Sequence, residues 1–370
     1  MHKILYITSR SDYGGGPEHI HQLIKRLSSR FRIFIASPKD EPYYARFKDH
    51  GECIEIPHRR FSRTHLICLV RLIKQEGIDL IHSHGKGAGV YSRMLGVICR
   101  KPVVHTFHGF HYSQLRPVSR LLNLGAEKLL GRFTDLYIAV SESERDACAK
   151  TGLFDMNKVV VIPNGVEVPL FKQKKPTNRF RIITVARLSP IKGVDIIVDI
   201  ARELGSIADG YEILIVGDGP ERPSLEKKAQ GLENIRFLGF RTDVPELLDS
   251  SDVFLSASRG EGMPLSLLEA MARALPVVAS DVMGNRDLVG NGTTGFLFDI
   301  KRPAEAAEKI ALLIKDRRLY GRLSKNAYEA ASSEHSVEKM CDKTALAYKA
   351  VLDAVQRRSG KRKALRERPA

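Results

Sequence analysis

Short apolar runs recur along the chain, and between them apolar residues return at three- and four-residue spacing. The first run, Ile4-Leu5-Tyr6-Ile7, has no polar interruption, the pattern of a strand buried on both faces. Strands are predicted over 4–8, 32–36, 53–56, 80–83, 103–106, 136–140 and 159–162. Helices are predicted between them over 19–28, 43–50, 64–76, 88–99, 117–133 and 142–150, with a glycine-rich loop over 9–18. Pro163-Asn164-Gly165 closes this series, and 168–178 lacks any period and reads as a linker. The series then restarts with strands over 181–186, 212–216, 235–238, 253–256, 277–279 and 296–298. Helices are predicted over 194–204, 222–230, 265–274, 303–322 and 337–355.

Strands alternating with helices mean a parallel sheet covered on both faces, here twice in tandem. The expected fold class is α/β, two doubly wound Rossmann-like domains facing across a cleft. The expected division is 1–167, 168–336, a C-terminal helix over 337–356 crossing back to the first domain, and a basic disordered tail over 357–370. In such sheets ligands bind beyond the carboxyl ends of the strands.

Charge changes this picture. The chain of 370 residues carries a formal net charge of +16. Residues 1–170 hold +9 of it and 357–370 hold +6, while 171–356 are almost neutral. A basic first half suggests an anionic partner, a membrane surface or a phosphorylated acceptor. A non-catalytic nucleic-acid module is the reading from a different class, but the charge is diffuse and no aromatic–basic platform accompanies it, so no nucleic acid is expected. The five cysteines are scattered, which argues for a reducing compartment and against structural zinc. No long apolar window predicts a membrane span. The expected location is cytoplasmic, at the inner face of the membrane.

Four stretches carry candidate chemistry. The loop after strand 253–256 holds Glu261-Gly262-Met263-Pro264-Leu265, with Glu269 in the helix that follows. Glycines flanking Glu261 let a ligand approach the backbone, and the helix N-terminus favours an anion such as phosphate. The two carboxylates would then take hydroxyls on either side of it. Taken alone, this is also an ordinary strand–loop–helix unit with a Glu269 that suits the helix dipole. Arg187 and Lys192 lie on the loop after strand 181–186, a guanidinium fork plus a point charge suited to a diphosphate. Gly217 with Phe240 and Arg241 follow two neighbouring strands, leaving room for a flat ring and backbone groups for its edge. Gly14-Gly15-Gly16 could bring amides to an anion, although the stretch is neither a dinucleotide fingerprint nor a P-loop.

His105, His108 and His111 invite a metal reading. Their run leaves a strand for a loop at Gly109, and no carboxylate or cysteine accompanies it, so a metal site is not expected. His108 is the best placed of them to serve a ligand; His105, His82 and His84 read as structural.

Taken in order, the Gly-rich loop, the His108 segment, Ile162-Pro163-Asn164-Gly165-Val166, Arg187 with Lys192-Gly193, Gly217-Asp218-Gly219-Pro220 and the Glu261/Glu269 pair resemble a family 4 retaining glycosyltransferase of the GT-B fold. The resemblance spans roughly residues 3–350; one departure is Pro17 between Gly16 and Glu18. It implies that Arg187 and Lys192 hold the diphosphate of a nucleotide sugar. Glu261, with the amides of Gly262 and Met263, would meet the donor sugar. Glu269 would bind ribose, and the backbone near Phe240 and Arg241 the base. Gly15 and Gly16 would close on the phosphates, and His108 would lie near the transferred sugar. The implied activity is metal-independent transfer, with retention, from a nucleotide diphosphate sugar, UDP-linked, to a lipid-linked or surface-polysaccharide hydroxyl. No cofactor is expected, and no Asp-x-Asp occurs in the chain. A nucleotide-sugar epimerase or a phosphorylase on the same fold is the alternative.

Overall fold

The structure is a computed structural model that describes residues 1–109, 117–172 and 179–366, with the side chains of 117–120, 122, 123 and 359–366 excepted. The linker expected over 168–178 falls mainly outside the described residues, as does His111. The chain divides into two compact units, Met1–Asn164 with Val337–Ala370, and Gly165–Ser336.

In the first unit the chain order is β1 (Lys3–Thr8), α1 (Gly15–Leu27), β2 (Arg32–Ser37), α2 (Tyr43–Lys48), β3 (Glu52–Glu55), α3 (Arg63–Glu76) and β4 (Leu80–His84). It continues with α4 (Lys86–Cys99), β5 (Val103–Thr106), α5 (Pro117–Gly131), β6 (Leu136–Ala139), α6 (Glu142–Thr151) and β7 (Val159–Val161). The sheet order is β3-β2-β1-β4-β5-β6-β7, all parallel. Strand alternation divides the core. Ile4 and Tyr6 pack with Ile20, Leu23 and Leu27 of α1 on one face. Leu5 and Ile7 pack with Leu69, Ile73, Tyr91 and Leu95 of α3 and α4 on the other. The uninterrupted apolar run of β1 is thereby explained, since both faces are covered.

The second unit holds β8 (Phe180–Val185), α7 (Val194–Gly205), β9 (Tyr211–Val216), α8 (Arg222–Lys228), β10 (Ile235–Gly239), α9 (Val244–Asp249) and β11 (Val253–Ser256). After these come α10 (Leu265–Met271), β12 (Val277–Ser280), β13 (Gly295–Phe298), α11 (Pro303–Lys315) and α12 (Arg317–Glu334). Its sheet order is β10-β9-β8-β11-β12-β13, again parallel. Both orders reverse between the first strand and the fourth, which puts a crevice at the carboxyl ends of β1 and β4 in one unit and of β8 and β11 in the other.

Some boundaries differ from the periodicity. α1 starts at Gly15, inside the stretch expected to be loop, because Pro17 fits a first helical turn where its missing N–H costs nothing. The helix expected over 303–322 breaks at Asp316, whose extended backbone (φ −102°, ψ 92°) and carboxylate cap the amides of Arg318 and Leu319 at 3.0 and 2.9 Å. The helix expected to reach 274 stops at Met271, and Ala274 turns left-handed at φ 59°. The last helix, α13 (Val337–Arg366), continues through most of the segment expected to be a disordered tail. Its Ala, Leu, Lys and Arg residues are good helix formers. Val337, Met340, Cys341, Tyr348, Val351 and Leu352 bury one stripe of α13 in the core of the first unit.

Candidate functional site

In the second unit the candidate donor residues all follow strand ends on one edge of the sheet. Arg187 and Lys192 follow β8, Gly217 follows β9, Phe240 and Arg241 follow β10, and Glu261 to Leu265 follow β11. β8 and β11 are neighbours, so the first and last of these loops are drawn together. Lys192 Nζ donates to Glu261 Oε1 at 2.7 Å, linking residues 69 apart in sequence. Glu261 is 8% exposed. Its Oε1 also accepts from Ser258 Oγ at 2.6 Å, and Ser280 Oγ in turn donates to the Ser258 carbonyl at 2.6 Å. Asn285 Nδ2 donates to the Ser280 carbonyl at 3.0 Å. A buried carboxylate is costly without such partners, and this chain fixes the rotamer of Glu261 before any ligand meets it. None of Ser258, Ser280 and Asn285 stands out in the sequence.

The loops approach so closely that side chains are excluded. A Cβ on Gly193 (φ 62°) would lie 1.9 Å from the Ala257 carbonyl oxygen, and one on Gly217 (φ 127°) would lie 1.9 Å from that of Ala186. The β8 loop is thus pressed against the ends of β11 and β9. Arg259 strengthens the same junction: its guanidinium grips both Asp195 oxygens at 2.9 and 2.7 Å, and its amide donates to the Ile191 carbonyl at 2.8 Å. The arginine holds the Asp195 carboxyl below its ordinary range, against the opposing pull of burial. Arg187 is exposed and makes no ion pair among the described residues, so its charge remains open to a ligand. Gly262, Met263, Pro264 and Leu265 are buried and Glu269 is half-buried. Phe240 is 46% exposed. Arg241 is committed to Asp243 on the surface, at 2.7 and 2.5 Å, so its side chain is tied to its own loop.

In the first unit the corresponding edge gathers histidines. His19 lies on α1, His84 ends β4 and His108 follows β5. Nδ1 of His84 and Nε2 of His108 are 2.9 Å apart, and the His19 and His108 rings meet edge-on at 4.6 Å. His108 adopts φ 59°, a left-handed backbone that marks a site held by its surroundings. The hold comes from Glu144. Its two oxygens accept from the amides of Gly109 at 2.6 Å and Val140 at 2.7 Å, and its own amide is capped by Ser141 Oγ at 3.1 Å. Ser141-x-x-Glu144 is a capping-box spacing, and that signal could have found Glu144; its reach to Gly109 could not be read from the chain. His105 is buried elsewhere, on Ser83 Oγ at 2.9 Å. His82 is spent on Tyr348 and Thr106. Burial drives the ring pKa values of His82, His84, His105 and His108 well below the ordinary value, and that of His19 down to about 4. Gly15 and Gly16 form the first turn of α1, and nothing would meet a Cβ on Gly16 within 4 Å.

Two family descriptions match the chain: Glycosyltransferase Family 4 over residues 13–169 and Glycosyl transferases group 1 over residues 167–330. An Escherichia coli UDP-Gal:alpha-D-GlcNAc-diphosphoundecaprenol alpha-1,3-galactosyltransferase is 30% identical over 298 residues, 75% of this chain and 77% of that protein. A Campylobacter jejuni N,N'-diacetylbacillosaminyl-diphospho-undecaprenol alpha-1,3-N-acetylgalactosaminyltransferase is 27% identical, covering 84% of this chain and 89% of that one. Among solved structures, Anabaena Alr3699/HepE in complex with UDP and glucose aligns with a TM-score of 0.83 at 25% identity, over 95% of this chain and 100% of that chain.

Proposed function

The chain belongs to the family 4, group 1 glycosyltransferases, and from that premise we propose that it moves a sugar from a UDP-sugar, with retention and without a divalent metal, to a lipid-linked diphosphate acceptor. The observation that carries this reading is the pairing of Lys192 with buried Glu261 at the carboxyl ends of adjacent strands β8 and β11, beside an unpaired Arg187. A diphosphate leaving group gains negative charge as the glycosidic bond breaks. Fixed cations aimed at it lower that barrier without reorganising at the moment of reaction. Glu261, already oriented by Ser258 and Lys192, is the acceptor for donor-sugar hydroxyls. Glu269 serves the ribose, and Gly217 and the Phe240 backbone serve the base. In the first unit Gly15 and Gly16 serve the phosphates and His108 the transferred sugar. The relatives' printed names support a UDP donor and an undecaprenol-diphosphate acceptor.

No helix among the described residues is long and apolar enough to cross a membrane. We place a lipid-facing patch on α4 and α5. Val97 and Ile98 on α4, Leu129 on α5 and Phe133 just after it are 50%, 50%, 58% and 44% exposed, with Arg100, Lys101, Lys128 and Arg132 next to them along the chain. The two helices are joined by the buried Arg93–Glu127 pair at 2.9 Å. Each basic residue near an anionic surface contributes about 1 kcal/mol.

The test is transfer from radiolabelled UDP-sugars to a short-chain polyprenyl-diphosphate sugar in EDTA, with the anomeric configuration of the product read by NMR. Full turnover in EDTA with retention is expected. Strict dependence on a divalent ion would remove the cation-clamp account, and conversion of donor without acceptor would favour the epimerase.

A further inference from the structure

Three histidines from distant parts of the first unit converge, and the proposed transfer assigns a task to only one of them. We propose that His19, His84 and His108 form a binding site for one zinc-class transition-metal ion. One nitrogen from each ring lies within 4.8 Å of one from each of the others; Nδ1 of His84 and Nε2 of His108 face each other at 2.9 Å, a contact that the ion would replace. The ring centroids are 4.6, 5.2 and 5.5 Å apart. Within these rings, Nδ1 of His19 and Nε2 of His84 are buried with no hydrogen-bond partner. Leaving two such atoms unmet is costly in a packed interior, and a metal ion would satisfy them.

The donor set selects the ion. Three imidazoles with no carboxylate suit Zn²⁺, Co²⁺, Ni²⁺ or copper rather than Mg²⁺ or Ca²⁺. A tetrahedral ion with Zn–N bonds of about 2.0–2.1 Å sets its ligand nitrogens about 3.3–3.4 Å apart, so the trio, all within 4.8 Å of one another, closes by at most about 1.5 Å through ring rotations. An outer shell is present. The Asn164 side chain hydrogen-bonds His19, the Tyr6 ring stacks on His84 at 5.8 Å, and Glu144 fixes the turn that carries His108. His82, though 4.1 Å from His84 between ring centroids, is excluded because both its nitrogens are engaged. Three protein ligands leave a fourth position open. The histidines weighed as a metal group in the sequence and set aside, His105, His108 and His111, are not this trio; only His108 belongs to both.

The bound ion would pin α1, just after Gly14–Gly16, to the ends of β4 and β5. The ion is given no part in stabilising the leaving group, so uptake of metal is measured separately from metal-free transfer. The test uses the full-length chain without an affinity tag, stripped with EDTA and titrated with Co²⁺ and then Zn²⁺ against a chromophoric chelator. Uptake of one ion per chain is expected, with a Co²⁺ visible absorption band and a rise in Tm of several degrees. His19→Gln and His84→Gln should each weaken uptake at least tenfold. Asp40→Asn should leave it unchanged, because Asp12, Asp40 and His58 form the other grouping among the described residues that could hold an ion. Absence of stoichiometric uptake, uptake indifferent to both histidine substitutions, or loss of uptake in Asp40→Asn overturns the proposal. Should the histidine variants fail to fold, X-ray absorption on the zinc-loaded wild type decides: three imidazole nitrogens support the site, and fewer overturn it.

Discussion

At the scale of single residues, Arg187 and Lys192 separate binding from stability. Arg187 is exposed and makes no ion pair among the described residues, so Arg187→Ala should leave the melting temperature unchanged. Its kcat should fall on the order of 10²–10³-fold, about 3 kcal/mol of lost transition-state stabilisation. Lys192→Ala should show a similar kinetic loss together with a lower melting temperature. It strips a partner from Glu261, which is 8% exposed, and an under-satisfied buried acceptor costs about 1–3 kcal/mol. Single-turnover kinetics and calorimetry on the same samples distinguish the two. Gly193→Ala is a purely steric case, because the added methyl group would sit 1.9 Å from the Ala257 carbonyl oxygen. A loss on the order of 3 kcal/mol in denaturant unfolding is expected, from overpacking and from φ 62° together.

At the scale of elements, Glu144 shows how a helix end can serve a remote loop. It occupies the first turn of α6, where acidic residues favour the helix dipole, yet its oxygens bind the amides of Val140 and Gly109. Glu144→Ala should destabilise the protein by about 3 kcal/mol, since the buried Val140 amide and the half-buried Gly109 amide lose their acceptor. Glu144→Gln keeps one acceptor oxygen and should lose about half as much. Chemical-shift changes at Gly109 and His108, read by NMR, would report whether the left-handed turn relaxes. The capping spacing Ser141-x-x-Glu144 and the left-handed cap at Gly77 after α3 are local signals that apolar periodicity alone did not draw on. The break at Asp316 was not anticipated. Apolar spacing runs across it almost without a shift, and a single capping carboxylate outweighs the period only once the chain has turned there.

At the scale of the whole molecule, the concentration of buried histidines in the first unit predicts a pH response. His19, His82, His84 and His105 are at most 4% exposed, and burial lowers the pKa of each. In the unfolded chain each takes up a proton near pH 6.5, while the folded form stays neutral to lower pH; for His19 that limit is about 4. The unfolded state therefore binds more protons in this window, and stability falls as pH drops from about 6.5 towards about 4. His19 alone accounts for about 3 kcal/mol at the low end. Calorimetry in EDTA at pH 7.5 and pH 5 should show a clear loss of stability at the lower pH, and a flat profile would contradict the buried, neutral assignment. The lipid-facing patch on α4 and α5 is tested by flotation. Binding to anionic but not neutral liposomes is expected, and replacing Leu129 and Phe133 by Ser should weaken it without affecting the melting temperature.

The repeated alternation of apolar runs and helical periods determined two parallel sheets, because strands buried on both faces admit few polar residues. The order Arg187, Lys192, Gly217, Glu261 along the chain was enough to mark these residues as candidates for one site, since each follows a strand and all strand ends of a parallel sheet lie on one edge. The packing alone decided which of these touch. The neighbour relation of β8 and β11 makes Lys192 and Glu261 partners, and no local pattern encodes strand order. The same holds for His19, His84 and His108, whose convergence depends on β1, β4 and β5 lying side by side. Side-chain chemistry is written residue by residue, whereas proximity between distant residues arises only when hydrophobic burial selects one arrangement of strands.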